Sequence, residues 1–303
     1  MRPAPDAAAQ AASNRSAPPH AQAEQLAGRL PALLIAAERV AYAVAPGVHG
    51  RRRVGQGETF WQYRDYEPGD RPQLIDWRQT AKSDRIFVRQ SEWEAAQSVW
   101  LWRDASASMD WRSSADLPAK RERAEVLLLA LSILLVQGGE RVGLVGLDRY
   151  PSNSRHAPGR LALTLTQPSG SLPLPLEALP RHAALVLFGD FLDPVPDLAR
   201  ALGHYVERGV KGTLVQVVDP AEVTLPYRGR TRFEGTEGEL PWLLSRAESV
   251  REAYRRRLAE HQAALQDACR RLGWVLLTHH SDRPATEGLL SLYGALATPP
   301  GRG

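Results

Sequence analysis

The 303-residue chain is 43% hydrophobic and 24% charged, a balance that suits a folded protein with one sizeable core plus an accessory lobe and excludes disorder throughout. Its 38 basic and 34 acidic residues leave a net charge of +4, too small a surplus to argue by itself for a nucleic-acid or anionic-membrane partner. A single cysteine, Cys269, excludes an intrachain disulfide framework and any multi-cysteine metal site, so the cytoplasm is the expected compartment.

Residues 1–24 are rich in Ala, Pro, Gln and Ser and carry too few large apolar groups to bury, which predicts a disordered tail; it lacks the apolar middle of a signal peptide. Leu30 to Pro46 is the most apolar stretch, yet Glu38 and Arg39 interrupt it and it is too short to span a bilayer. Leu30, Leu33, Leu34, Ala37, Ala41 and Val44 fall on one helical stripe, predicting a packing helix rather than a membrane anchor. Arg51-Arg52-Arg53 then meets a loop punctuated by Gly55 and Gly57. Guanidiniums and free amides suit anions, but the glycines have neither Rossmann nor Walker spacing, so a solvated basic loop is the simpler reading.

From Phe60 to Trp93 aromatic, arginine and acidic residues interleave, with Pro68-Gly69 suited to the centre of a type II turn. Interleaved Arg and aromatic side chains can stack on single-stranded nucleic acid, but Asp65, Glu67, Asp70, Asp76 and Asp84 would repel its backbone. An internal Arg–carboxylate network or a protein-binding face fits better. Within this segment Leu74-Ile75 leads into Asp76-Trp77-Arg78, which predicts Trp77 as a buried anchor joining the N-terminal lobe to the sheet. Arg85 to Arg89 alternates like a half-buried strand.

Val99 to Arg103 reads as a buried strand that opens into Asp104-Ala105-Ser106-Ala107-Ser108-Met109. In open α/β sheets ligands gather beyond the carboxyl ends of such strands, and Asp104, Ser106 and Ser108 offer one anionic and two neutral oxygens, the hard donors that Mg²⁺ prefers. Asp and Ser are also ordinary turn and helix-start residues, so the spacing alone leaves that reading open.

Tyr63-Arg64-Asp65-Tyr66-Glu67-Pro68-Gly69-Asp70, Ile75-Asp76-Trp77-Arg78, Phe87-Val88-Arg89 and Asp104-Ala105-Ser106-Ala107-Ser108-Met109, in that order, closely resemble the bacterial domain-of-unknown-function family numbered fifty-eight; the likeness runs across about residues 35–297. Members look like a von Willebrand factor A domain with an extra N-terminal segment and are typically encoded beside MoxR-type AAA+ ATPases. The resemblance therefore implies an adaptor or partner of such an ATPase.

The remaining elements fit that fold. Ala119 to Gln137 predicts a helix stopped by Gly138-Gly139, Arg141 to Leu147 a strand, and Arg160 to Thr166 an antiparallel edge strand. Ala183 to Asp190 is a second buried strand ending in a carboxylate, followed by Asp193-Pro194 and a helix to about Glu207. Val210 to Val218 is a third central strand, Glu248 to Arg271 a long helix, Trp274 to Thr278 a last strand and Thr286 to Leu296 a closing helix. Between Asp219 and Leu244 a Gly-rich turn predicts an inserted hairpin. The expected architecture is α/β: a von Willebrand factor A-like, doubly wound, mostly parallel sheet over residues 99–297, with the hairpin at about 220–244, an accessory helix and β-rich segment over 25–98, and a short tail over 298–303.

The metal-ion-dependent adhesion site of von Willebrand A domains takes Asp-x-Ser-x-Ser from one loop, Thr from a second and Asp from a third. By resemblance Asp104, Ser106 and Ser108 fill the first loop and Asp190 the third, around Mg²⁺ or another divalent cation. Asp193 is an outer-shell candidate or the N-cap of the next helix, and Pro168-Ser169-Gly170-Ser171, where Gly-Gly-x-Thr is expected, assigns no second-loop ligand.

Elsewhere catalytic signals are weak: there is no Gly-x-Ser-x-Gly elbow, and His279-His280 read as surface or packing residues. Cys269 shares a helical stripe with Tyr254, Leu258, His261, Leu265 and Leu272 and reads as a small buried residue, while Arg255-Arg256-Arg257 read as a solvated face. The favoured function is a non-enzymatic interaction module serving a MoxR-type ATPase. A metal-assisted hydrolase or phosphoryl-transfer enzyme using Asp104 and Asp190 is the alternative, for which the sequence identifies no His, Lys or Glu as base or nucleophile. Nucleic-acid binding, the third reading, would need a contiguous basic face.

Overall fold

The computed structural model describes residues 19–48, 60–66, 75–82, 85–91, 97–165, 179–236 and 240–297. In chain order, helix α1 (Pro19–Val48) precedes an antiparallel pair, β1 (Phe60–Asp65) and β2 (Phe87–Ser91), with the single-turn helix α2 (Trp77–Thr80) between them. Then follow β3 (Ser98–Arg103), α3 (Lys120–Gln137), β4 (Arg141–Leu144), α4 (Ala157–Thr164), β5 (Ala184–Gly189), α5 (Val195–Glu207), β6 (Lys211–Val218) and α6 (Pro220–Thr224). The hairpin strands β7 (Thr231–Phe233) and β8 (Trp242–Leu244), helix α7 (Arg251–Leu272), β9 (Val275–His280) and α8 (Ala285–Ala297) complete the order.

Five parallel strands form the central sheet in the order β4-β3-β5-β6-β9. Side chains alternate across a strand, so one apolar run can serve two cores. In β3, Val99 and Leu101 join α1, α3, α4 and α8 on one face, whereas Trp100 and Trp102 join α5 and α7 on the other. Ala184, Val186 and Phe188 of β5 divide in the same way from Leu185 and Leu187. This two-sided burial is why both strands are continuously apolar. It also makes the sheet doubly wound, as expected. From β3 the chain runs outward to β4 and then crosses back to β5 on the other side of β3, so the order reverses between β3 and β5. Ligand crevices of open α/β sheets lie at such a reversal.

Helix α1 packs with Ala37, Ala41 and Val44 buried and Leu33, Leu34 and Val40 against the same core, the stripe read from the sequence. It begins at Pro19, six residues inside the stretch expected as a tail; residues 1–18 and 298–303 lie outside the described residues, as do the Arg51–Arg53 loop and Pro68-Gly69.

Two expectations are corrected. Where an edge strand is expected over Arg160 to Thr166, the chain to Thr164 is helix α4 and Thr166 lies outside the described residues: Ala157, Leu161, Ala162 and Leu165 are buried, a spacing of four that a strand cannot place on one face, and Pro158 starts the first turn. Antiparallel pairing at that edge falls instead to an isolated bridge between Val142 and Ser152. Trp77 is not a buried anchor but is 66% exposed. The Asp76 carboxylate accepts from the N–H groups of Arg78 and Gln79 at 3.0 Å, which makes Asp76 the N-cap of α2 and turns Trp77 outward as its first residue. Attachment to β2 is made instead by Ile75, which bridges buried Val88.

Candidate functional site at the carboxyl end of the sheet

Asp104 and Asp190 follow the ends of β3 and β5, the two strands that flank the reversal of strand order. The ladder continues through Asp104 N–H, which donates to Phe188 O at 2.8 Å, so the Asp104 backbone is fixed by the sheet itself. Its Oδ1 accepts from Ser106 N–H at 2.8 Å, closing the loop back on itself. Arg121 clamps the loop from α3, donating to the carbonyls of Ala105 and Ser106 at 3.1 and 3.2 Å while its Nε lies 2.9 Å from Asp110.

The four residues predicted as ligands converge. Ser106 Oγ and Ser108 Oγ are 2.9 Å apart, and Ser108 Oγ donates to Asp190 Oδ2 at 2.7 Å. Asp104 and Asp190 are 3% and 4% exposed. Burial raises the Asp104 pKa above the ordinary carboxylate range, with Asp190 and Asp193 adding to it against the hydrogen bonds from Ser106. Asp193 lies near enough for Asp190 to raise its own pKa, second to burial, but does not cap α5; Pro194 stands at the cap position. The second-loop segment Pro168 to Ser171 lies outside the described residues.

Two residues that the sequence reading passed over complete the crevice. Lys120, the first residue of α3, is 1% exposed and extends its ammonium to 2.9 Å from Asp190 Oδ2 and 2.5 Å from Glu222 Oε1. Desolvation, the largest single influence, lowers the Lys120 pKa, but the Asp190 and Glu222 carboxylates together outweigh it and hold the ammonium above the ordinary lysine range. Burial raises the Glu222 pKa against the pull of Lys120. Glu222 is placed by Asp219-Pro220-Ala221-Glu222, a reciprocal cap in which Glu222 accepts from Asp219 N–H at 2.9 Å and Asp219 accepts from Ala221 N–H at 2.8 Å. Asp219, fully buried after β6, also accepts from Ser113 N–H at 2.9 Å and so ties α6 to the segment beyond Ser108.

Lys120 stands in the first turn of α3 beside Arg121, Glu122 and Arg123, where a cation opposes the helix dipole, and nothing in that charged turn marks it in the sequence as the buried member. The turn after Asp190 carries strain, because Phe191 has a φ of 49°. Gln216 Nε2, donating to Asp190 O at 3.0 Å, and His261 Nε2, 2.7 Å from Phe191 O, hold it there.

The fit of a divalent ion can be judged from these contacts. Asp190 Oδ2 already accepts from both Ser108 and Lys120, and a Mg²⁺ about 2.1 Å from that oxygen would sit within about 5 Å of the ammonium. At an effective dielectric near 20 the repulsion is on the order of 6 kcal/mol. The oxygens are of the right kind, but the arrangement around Asp190 does not suit a divalent ion while Lys120 occupies it.

The remaining candidates are packing residues. Cys269 is buried and its thiol is pushed up to about 11 by burial, far from the reactive range. His279 is 5% exposed and packs against Gly288, where a Cβ would come within 2.7 Å of its Nδ1.

Fold and loop together define a von Willebrand factor A-like α/β domain, a doubly wound parallel sheet with an Asp-x-Ser-x-Ser loop at its switch point. Residues 62–264 match the family described as Protein of unknown function DUF58, and the chain belongs to that family. Similar proteins include the uncharacterized proteins Mb1516 of Mycobacterium bovis and Rv1480 of Mycobacterium tuberculosis, each 28% identical over 280 residues that cover 86% of this chain and 86% of theirs. Among solved structures the chain is similar to the conserved hypothetical protein BatB of Bacteroides thetaiotaomicron, with 14% identity, a TM-score of 0.39 and coverage of 67% of this chain and 99% of that one. It is also similar to the SpRpn10 VWA domain, with 13% identity, a TM-score of 0.34 and coverage of 69% and 98%. Among the described residues no helix is long and apolar enough to cross a membrane.

Proposed function

We propose that the chain is a non-enzymatic interaction module, an adaptor for a MoxR-type AAA+ ATPase, whose contact face is the carboxyl end of the sheet together with the β7–β8 hairpin. The observation that carries this reading is how fully the crevice is committed to itself. Lys120 is bound to two carboxylates and held protonated, which disqualifies it as a base, and the Ser106 and Ser108 hydroxyls are engaged with each other and with Asp190. Such a site presents a fixed surface rather than a poised reaction centre.

The hairpin favours a protein partner. It hangs from the same connection that carries Glu222 and displays Leu240, Trp242 and Leu243, which are 91%, 63% and 52% exposed. Large apolar side chains gathered at a surface mark interaction sites, and Trp is enriched among residues that dominate binding energy. The ATPase as partner rests on the family resemblance of the Tyr63 to Asp70 and Asp104 to Met109 segments. Co-expression with the MoxR-type ATPase of the same genome, followed by size-exclusion chromatography, tests it: a co-eluting complex is expected, together with no turnover on phosphoester and peptide panels with or without Mg²⁺. Absence of a complex, combined with a Mg²⁺-dependent hydrolysis lost in Asp104→Asn, would establish the enzymatic reading instead.

A further inference from the structure

We infer that Lys120 supplies from within the chain the positive charge that the Asp104–Asp190 crevice requires, so that the site binds no divalent ion. The crevice collects acidic groups from three directions: Asp104 after β3, Asp190 after β5, and Asp219 and Glu222 around α6, all of them buried or nearly so. Four carboxylates at one end of a sheet call for a compensating cation. Asp219 is satisfied by backbone N–H groups of Ser113 and Ala221, and Asp104 by that of Ser106. The two that remain, Asp190 and Glu222, share the Lys120 ammonium at 2.9 and 2.5 Å.

The ammonium stands against the same Asp190 oxygen that the Ser106–Ser108 hydroxyl chain reaches, so it occupies the position from which an ion would neutralise that carboxylate. An ion held by oxygens alone keeps open positions for water or a partner's carboxylate. An ammonium that is 1% exposed and already shared by two carboxylates has no such opening toward solvent. Lys120 is therefore a positioning residue: it pins the start of α3 to the end of β5 and to α6, and it fixes the rim on which Ser106 sits. Only the corollary, that partner contacts at this end of the sheet need no metal, rests on the interaction reading.

Titration of the purified 303-residue chain with Mn²⁺, following free ion by electron paramagnetic resonance, tests the inference directly, with thermal melts in millimolar MgCl₂ and in EDTA alongside. The wild type is expected to show no saturable Mn²⁺ binding and one melting temperature in both buffers. Lys120→Met keeps the length of the stem but strips the charge; it is expected to bind Mn²⁺ and to melt higher with Mg²⁺ than with EDTA. Saturable Mn²⁺ binding by the wild type that is lost in Asp190→Asn overturns the inference, as does a folded Lys120→Met that acquires no Mn²⁺. If Lys120→Met does not fold, the wild-type titration and Asp190→Asn decide the matter. Because no partner enters the titration, its failure leaves the adaptor reading standing, and loss of the adaptor reading leaves the titration unaffected.

Discussion

Ser108 Oγ donates to Asp190 Oδ2 at 2.7 Å, closing a contact between residues 82 apart in sequence. That contact joins the loop after β3 to the end of β5, and Lys120 reaches the same oxygen from α3. A single carboxylate oxygen thus ties together a strand end, a loop and a helix start.

Removing one member of this tie is expected to cost stability in a fixed order. Asp190→Ala leaves a buried ammonium with only one of its two carboxylates and should cost about 3–5 kcal/mol. Ser108→Ala deletes one hydrogen bond to a charged acceptor and should cost about 1.5–3 kcal/mol. Urea unfolding of the two variants checks the order; a Ser108→Ala midpoint below that of Asp190→Ala would contradict it.

At α2 the cap matters and the aromatic ring does not. Asp76→Ala removes the acceptor of two backbone N–H groups and should lower stability by about 0.5–2 kcal/mol. Trp77→Ala, at a position 66% exposed, should stay within about 0.5 kcal/mol of wild type. Denaturant midpoints of the two single variants decide between a cap and an anchor.

Acid should unfold the protein partly through His279. Burial, reinforced by Arg123 and His280 and opposed by Asp282, holds its pKa down to about 4, against about 6.5 in the unfolded chain. Between these values the unfolded chain takes up the proton and the folded chain does not. The contribution is therefore whole above about pH 6.5 and is lost as pH falls toward 4, roughly 3 kcal/mol in all. His279 Nε2 is buried with no hydrogen-bond partner among the described residues, so His279→Leu should fold and should lose less stability between pH 7 and pH 5 than the wild type. Equal losses in the two proteins would show that His279 is not responsible.

Gly212 allows β6 to lie beneath Trp274, whose ring a Cβ at that position would overlap. Gly212→Ala should therefore lower stability by about 1–3 kcal/mol, which a thermal melt would register. An unchanged melting temperature would mean that the Trp274 ring relocates at no cost.

The sheet was legible in the sequence because its strands announce themselves: β3, β5 and β6 are apolar runs long enough to be buried on both faces, and Asp104 and Asp190 mark where they stop. Two-sided burial erases alternation, but length and a terminal carboxylate replace it as signals. The short segments were harder. Arg160 to Thr166 carries alternating apolar residues that also satisfy a helical spacing, and over its described part packing against α1, α3 and β4 selects the helix. Trp77 misled because its size favours burial, whereas the neighbouring Asp76 cap fixes its direction. Ser106, Ser108 and both aspartates were found by spacing and resemblance. Lys120 and Glu222 were not, because their bond to each other spans 102 residues and follows from tertiary placement alone.

Whether this end of the sheet and its hairpin form a protein-binding face is decided by the affinity of the purified chain for the MoxR-type ATPase in EDTA, measured by biolayer interferometry beside Trp242→Ser and Ser106→Arg. Trp242 is 63% exposed, so Trp242→Ser should melt close to the wild type, whereas Ser106→Arg also deletes the hydroxyl contact to Ser108 and is measured at a temperature where its own melt shows it folded. The wild type should bind without added metal, and each variant should lose affinity by at least about tenfold, equivalent to about 1.4 kcal/mol. Wild-type affinity retained by both variants, or a wild type that does not bind the ATPase, would contradict a binding face there.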